Sequence, residues 1–291
     1  MNVNPTPIQY ADAVVAITGG ARGIGYETAK QFAAKGATVA IGDLNLDAVE
    51  EAAGKLGERV HAFQLDVTDR DSFGAFVESV ESELGPIDVL VNNAGIMPAG
   101  PFLEEPDSII DTQIDVNYRG PITGMRIVLP KMVERRKGHV VNVASMAGKF
   151  AVAGLAVYSG TKHAVVGLSA AVRDEIAGSG VTISTVMPNA VNTDLTSGLP
   201  TEKILMLEPE KVAAAIVASV DNRREEIALP RWFGIWQMLP VVLPTRIVAR
   251  LKKIFGADRL LDEQRIDRET RDKYDDRIAG SSSRTREKTS A

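Results

Sequence analysis

The sequence predicts a doubly wound α/β domain built on one parallel seven-stranded sheet. Two observations carry this prediction. Short β-branched runs alternate with longer helix-forming stretches, and a glycine cluster closes the first of those runs where a helix must begin. The composition suits such a domain: 291 residues, 45% hydrophobic and 24% charged, exclude a chain disordered throughout.

Strands are expected at residues 13–18, 37–41, 60–65, 89–91, 139–143, 181–186 and 226–229, each a short apolar run of the kind buried on both faces of a parallel sheet. Between them, residues 26–35, 46–56, 72–84, 108–135, 156–177 and 209–221 have helical composition and length, several closing at a glycine such as Gly36, Gly57, Gly85 or Gly178. Strand–helix alternation implies right-handed crossovers, hence helices on both faces and ligands beyond the carboxyl ends of the strands. The expected organisation is an N-terminal arm (1–12), a dinucleotide-binding catalytic domain (13–230), an apolar and amphipathic C-terminal helical extension (231–279) and a tail without fixed structure (280–291).

The chain has no Cys and three scattered His (His61, His139, His163), which argues against disulfides, thiolate nucleophiles and His- or Cys-built metal sites. Net charge is −5, unevenly spread: residues 245–291 carry 13 Lys/Arg against 9 Asp/Glu, the rest 20 against 29. An acidic body argues against nucleic acid as a partner, whereas the basic tail suits an anionic surface. The first nine residues lack a basic start followed by an apolar run, so a cytoplasmic location is expected.

The first strand runs into Thr18-Gly19-Gly20-Ala21-Arg22-Gly23-Ile24-Gly25. Amide groups at a helix start, with few Cβ atoms in the way, suit a pyrophosphate. Asp43, 18 residues beyond Gly25 at the end of the second strand, is placed to accept hydrogen bonds from the adenosine ribose and to repel a 2′-phosphate, which favours NAD over NADP. Arg22 is a cation pointing the other way; Asp43 is weighted more, since a carboxylate at the ribose must be neutralised before a phosphate can sit there.

Tyr158 and Lys162 are four residues apart in an expected helix, hence on one face, and a neighbouring ammonium favours the phenolate. Ser145 follows the strand at 139–143, at the sheet edge where a cofactor held by the glycine turn would extend. With these residues the sequence resembles the short-chain dehydrogenase/reductase family, whose fold is of the Rossmann type. The resemblance is carried by the TGxxxGxG turn (Thr18 to Gly25), Asp66 after the third strand, the Asn92-Asn93-Ala94-Gly95 loop, Asn117, Ser145, the YxxxK pair and the segment from Pro188 to Thr193, and it spans Ala13 to about Leu229.

The resemblance implies roles. Tyr158 would be the acid/base, Ser145 would bond the same substrate oxygen, Lys162 would hold the nicotinamide ribose, and Asn117 would hold a water joining Lys162 to solvent. Gly19, Arg22, Gly23, Ile24, Gly25 and Asp43 would bind the cofactor at the turn, and Asp66 and Val67 at the adenine. Asn92, Ala94 and Gly95 would line the channel, and Val191 and Thr193 would fix the carboxamide. One departure is Asn189 after Pro188, where the family commonly has glycine; Asn tolerates left-handed backbone better than other non-glycine residues. A homo-oligomer is implied by resemblance.

Substrate contacts are expected from residues 146–157 and 194–208, the latter rich in Leu, Ile and Met, which suits a small hydrophobic alcohol or ketone such as a steroid or long-chain lipid. After residue 231, Trp232, Trp236 and a basic amphipathic pattern (Ile247, Val248, Leu251, Ile254, Phe255) read either as a peripheral membrane contact or as a packing surface. The expected activity is NAD-dependent oxidation of a hydrophobic secondary alcohol or the reverse. Two alternatives stay open: an NADP-dependent carbonyl reductase, and a dinucleotide-binding sensor or scaffold without turnover.

Overall fold

The computed structural model describes residues 5–200, 205–232, 246–247 and 266–289, the side chains of the last helix as far as Ile278. Seven strands form one sheet: β1 (Val14–Thr18), β2 (Thr38–Asp43), β3 (Val60–Gln64), β4 (Ile87–Asn92), β5 (Gly138–Val143), β6 (Val181–Pro188) and β7 (Glu226–Leu229). Their order is β3-β2-β1-β4-β5-β6-β7, and every pairing is parallel. The direction of winding reverses between β1 and β4, the switch point at which such sheets leave a crevice.

Pleating splits β1 between two cores: Val15 and Ile17 face one side, Val14 and Ala16 the other. The first core takes Phe32 of α1 (Gly23–Ala34), Val49 of α2 (Leu46–Leu56) and Ile216 of α7 (Pro209–Asn222). The second takes Phe73 and Phe76 of α3 (Arg70–Glu83) and Met125 and Val128 of α5 (Gly120–Arg135). Two helices start where a side chain supplies the missing acceptor: Asn45 receives the Ala48 amide at 3.1 Å, and Asp69 receives those of Asp71 and Ser72 at 2.8 and 3.3 Å.

Most boundaries shift by one to three residues, α1 starting at Gly23 instead of residue 26, and three differences have a physical cause. The helix expected at 108–135 is α4 (Asp107–Ile114), a π-helical turn (Asp115–Arg119) and then α5, since Gly120-Pro121 follow directly and the wider turn re-aims Asn117. Strand β4 begins two residues early, because buried Asp88 is paired with the Val14 amide (3.3 Å) and Lys137 (2.9 Å) instead of marking a strand end. Finally, after α6 (Ala156–Glu175), the chain ends in α8 (Arg268–Thr289), which continues through most of the stretch expected to lack fixed structure. Its first turns are anchored by buried Arg271, Tyr274 and Ile278, so helix propagates from them. Most of the amphipathic pattern beyond Trp232 lies outside the described residues. Among the described residues, no helix is long and apolar enough to cross a membrane.

Candidate active site

At the carboxyl edge of β1, Thr18 ties the glycine turn to the loop after β4. Its Oγ1 accepts the amides of Asn93 and Ala94, both at 3.0 Å, and the Asn93 side chain donates back to the carbonyls of Thr18 (2.9 Å) and Gly19 (3.0 Å). Gly19 has φ +66°, and a Cβ there would stand 2.9 Å from the Ala94 Cα. Helix α1 begins at Gly23, and no side chain of Arg22 caps it, so its first amides face outward without a protein acceptor from that residue. Ile24 packs beneath on the core.

Asp43 closes this region from β2: its Oδ2 accepts the Ala21 amide at 3.2 Å. Arg22 turns the other way and pairs with Asp194 at 3.2 Å. Thr193, whose methyl would lie 3.2 Å from a Cβ on Gly23, brings the segment after β6 against the same turn. Val191 is buried and paired as an isolated bridge with Leu207. Asn189 does not adopt a left-handed backbone; among the described non-glycine residues only Arg136 and Arg223 do, so the departure from glycine costs the turn nothing.

Ser145 follows β5 by two residues, and Tyr158 and Lys162 lie four apart near the start of α6, both buried. The Ser145 hydroxyl lies beside the Tyr158 phenol, close enough to lower its pKa. Ser145 Oγ also accepts the Ala147 amide at 3.1 Å and donates to the Pro188 carbonyl at 3.4 Å, which fixes the hydroxyl between β5 and β6. The Lys162 ammonium stands 5.6 Å from the Tyr158 ring centre and donates to the Val143 carbonyl at 2.9 Å. Asn117 clamps Ile96 from the π turn, its amide donating to the Ile96 carbonyl (2.8 Å) and accepting the Ile96 amide (2.9 Å). Gly95 packs beside both, and a Cβ there would lie 3.3 Å from Asn117 Oδ1 and 3.6 Å from Lys162 Nζ.

Electrostatically the pair differs from the expectation. Burial raises the Tyr158 pKa to about 12, against a smaller lowering by the Ser145 hydroxyl, so the phenol holds its proton at neutral pH. Burial also lowers the Lys162 pKa to about 8. Burial, not the neighbouring ammonium, sets the direction of the shift in both groups. The arrangement offers a phenolic proton and a hydroxyl converging on one point, with an ammonium behind them.

Asn92 is not brought to this cleft. It points into the interior, where its amide donates to Asn142 Oδ1 at 2.8 Å across the β4–β5 pairing, and Asn142 in turn donates to Ser169. The neighbour Asn93 holds the glycine turn instead, a role signalled by strand alternation: the residue after the last inward position faces the opposite way. Asp66 Oδ1 is engaged by its own loop, accepting from Thr68 N (3.0 Å) and Oγ1 (2.6 Å), while Val67 packs on Gly120. Around Tyr158 lies an apolar cluster of Met97, Ala147, Leu155 and Leu199, with Leu195 and Val152 at its rim.

Sequence reasoning missed Arg271 and Tyr274, which reach this cluster from α8. With Asp275 and Ile278 they recur at 271, 274, 275 and 278, the spacing of one helix face, and that was the available signal.

The short chain dehydrogenase family model matches residues 13–203. An uncharacterized oxidoreductase of Staphylococcus saprophyticus is 35% identical over 226 residues, covering 74% of this chain and 92% of that protein. Rat estradiol 17-beta-dehydrogenase 11 is 33% identical over 249 residues, covering 84% of each. A short chain dehydrogenase/reductase from Burkholderia phymatum, solved in complex with NAD, superposes with a TM-score of 0.74 at 24% identity, over 80% of this chain and 94% of that one. With the serine, tyrosine and lysine gathered behind a glycine turn on this sheet, the chain belongs to the short-chain dehydrogenase/reductase family of oxidoreductases.

Proposed function

We propose that the protein is an NAD-dependent oxidoreductase interconverting a hydrophobic secondary alcohol and its ketone. The single observation that carries the reading is the convergence of Ser145 and Tyr158 in an apolar cluster, with buried Lys162 5.6 Å from the phenol ring.

The residues at the glycine turn fit a dinucleotide. Uncapped amides at the start of α1 suit a pyrophosphate, the bare Cα of Gly19 and Gly95 leave space that a Cβ would fill, and Asp43 offers a carboxylate at the second strand end. NAD over NADP is supported by Asp43 together with the pairing of Arg22 to Asp194, which turns the turn's cation toward a carboxylate. The Burkholderia phymatum relative with bound NAD agrees. In this reading Gly23, Ile24, Gly25, Asp66, Val67, Ala94, Val191 and Thr193 complete the cofactor's surroundings, and Lys162 holds the nicotinamide ribose.

When bound, the dinucleotide supplies or accepts the hydride at the substrate carbon. Tyr158 gives its proton to the substrate oxygen during reduction and takes it back during oxidation, while Ser145 holds that oxygen in place. A phenol raised to about 12 arrives protonated, as reduction requires. Asn117 fixes the loop carrying Gly95 through its clamp on Ile96. The apolar cluster excludes water and suits a lipid-like substrate; an estradiol dehydrogenase among the relatives supports a steroid-like one.

A screen of steroids, long-chain secondary alcohols and small ketones with NAD(H), read by nicotinamide absorbance, tests the proposal. Turnover of a hydrophobic member, with NAD at least tenfold preferred over NADP, is expected. A strong NADP preference overturns the use of Asp43, and dinucleotide binding without turnover of any member overturns the activity.

A further inference from the structure

Helix α8 joins the segments after β4 and β6 beside the apolar cluster. One guanidinium makes the join: Arg271 donates to the carbonyl of Leu195, after β6, at 3.0 Å and to that of Met97, after β4. Beside it the Tyr274 hydroxyl accepts the Met97 amide at 2.8 Å, and the Arg271 guanidinium stacks 4.4 Å from the Tyr274 ring centre. Met97 is itself a member of the cluster that surrounds Tyr158. Further along, the Asp267 amide donates to the Gly198 carbonyl at 3.0 Å, and Arg277 pairs at 3.1 Å with Asp194, the residue that also holds Arg22.

Arg271, Tyr274 and Ile278 are all nearly inaccessible, at 3%, 5% and 4% exposure. A charged residue is seldom buried so far unless fixed by several acceptors. The helix is therefore docked through its polar groups on the segments after β4 and β6, and its tyrosine hydroxyl holds the Met97 amide of the cluster around Tyr158. An ionised Tyr274 would raise the Tyr158 pKa, so the two phenols share one compartment of low dielectric constant.

The geometry points to α8 as the outer wall of the substrate chamber and to Tyr274 as a residue that determines the size of the substrate admitted. This inference rests on the proposed function, in which the chamber is the space beside Tyr158. Arg271 acts as a positioning residue, holding the wall to the segments after β4 and β6. Removing the Tyr274 ring enlarges the chamber toward Met97, whereas Phe at the same position keeps the bulk and gives up the bond to the Met97 amide.

The full chain and its Tyr274→Ala and Tyr274→Phe variants are assayed with NAD on cyclohexanol, 2-decanol and testosterone, and NADH binding is titrated by fluorescence. Tyr274→Ala is expected to raise kcat/KM for testosterone relative to cyclohexanol by tenfold or more. Tyr274→Phe should leave that ratio within twofold of the wild type, and NADH affinity should stay within twofold in both. An unchanged ratio in Tyr274→Ala, or an equal fall on all three alcohols, overturns the inference.

Amide exchange at Met97, which needs no substrate, is measured alongside. Protection in the wild type, with exchange at least tenfold faster in Tyr274→Phe, is expected, and an unprotected Met97 in the wild type overturns the docked wall even if the Ala variant does not fold. A Tyr158→Phe control separates the two readings: full turnover in that variant defeats the proposed function, whereas its loss together with an unmoved size ratio defeats the wall alone. If the wild type oxidises none of the panel, that result counts against the function, and Met97 exchange still decides the wall.

Discussion

Gly25→Ala puts the glycine turn under a direct test. A Cβ at residue 25 would lie 2.1 Å from the Gly19 carbonyl oxygen, 2.7 Å from Asn93 Nδ2 and 2.9 Å from the Gly19 carbonyl carbon. Ordinary contact needs about 3.4 Å or more, so the turn must move by over an ångström. That displacement breaks the Asn93 bonds to Thr18 (2.9 Å) and Gly19 (3.0 Å), which join the turn to the loop after β4. Overpacking of this kind costs about 1–3 kcal/mol, and the same movement misplaces the amides at the start of α1. Gly54→Ala is the internal comparison: nothing lies within 4 Å of a Cβ there, and the residue sits inside α2. Urea unfolding should show Gly25→Ala less stable by about 2 kcal/mol and Gly54→Ala more stable by about 0.5–1 kcal/mol. Fluorescence titration should show NADH bound at least tenfold more weakly by Gly25→Ala, about 1.4 kcal/mol, and equally well by Gly54→Ala. Equal NADH affinity in wild type and Gly25→Ala would refute the reasoning.

Buried His139, bonded to Thr182 (2.7 Å) and Ser219 (3.1 Å), is lowered by burial to a pKa of about 3. The unfolded chain therefore takes up its proton first, and stability falls as pH drops from 6.5 toward 3, by about 1.4 kcal/mol per pH unit for one proton. The difference between wild type and His139→Gln in urea midpoint should shrink by that slope between pH 6.5 and 5, and a pH-independent difference would contradict it. Lys162 is lowered from 10.5 to about 8, so its charged form costs the folded state about 3 kcal/mol below pH 8, a cost relieved as pH rises through 10.5. Lys162→Met should be inactive yet more stable at pH 7 by about 2 kcal/mol once the bond to Val143 is discounted, with the gain vanishing near pH 10.5; a variant less stable at pH 7 would overturn this. Asp43→Asn keeps an oxygen for the Ala21 amide and removes the charge, so the ratio of kcat/KM for NAD over NADP should fall tenfold or more, and an unaltered ratio would clear Asp43 of any part in cofactor choice.

The sheet was legible because its central strands are dense in Val, Ile and Ala and are buried on both faces, so each run stands out from the helices between. Strand ends were less so: Asp88 reads as polar punctuation, yet its partners Val14 and Lys137 lie far away in sequence. The glycine turn and the set of Asn117, Ser145, Tyr158 and Lys162 were visible through spacing. What spacing could not carry was the net field, since the upward shift of Tyr158 comes from burial that only the assembled helices create. Asn92 and Asn93 were indistinguishable without the pleat of β4. Helix α8 was hidden by its composition, because a highly charged stretch conceals three inward positions, of which Arg271 depends on carbonyls at Met97 and Leu195.

Single-turnover kinetics of Tyr158→Phe with bound NADH and a ketone substrate test the account most directly. Removing only the phenolic oxygen leaves the ring packed in its cluster, so NADH affinity should hold within twofold while the hydride-transfer rate falls by roughly 10²–10⁴. A rate within twofold of the wild type, at unchanged cofactor affinity, would contradict it.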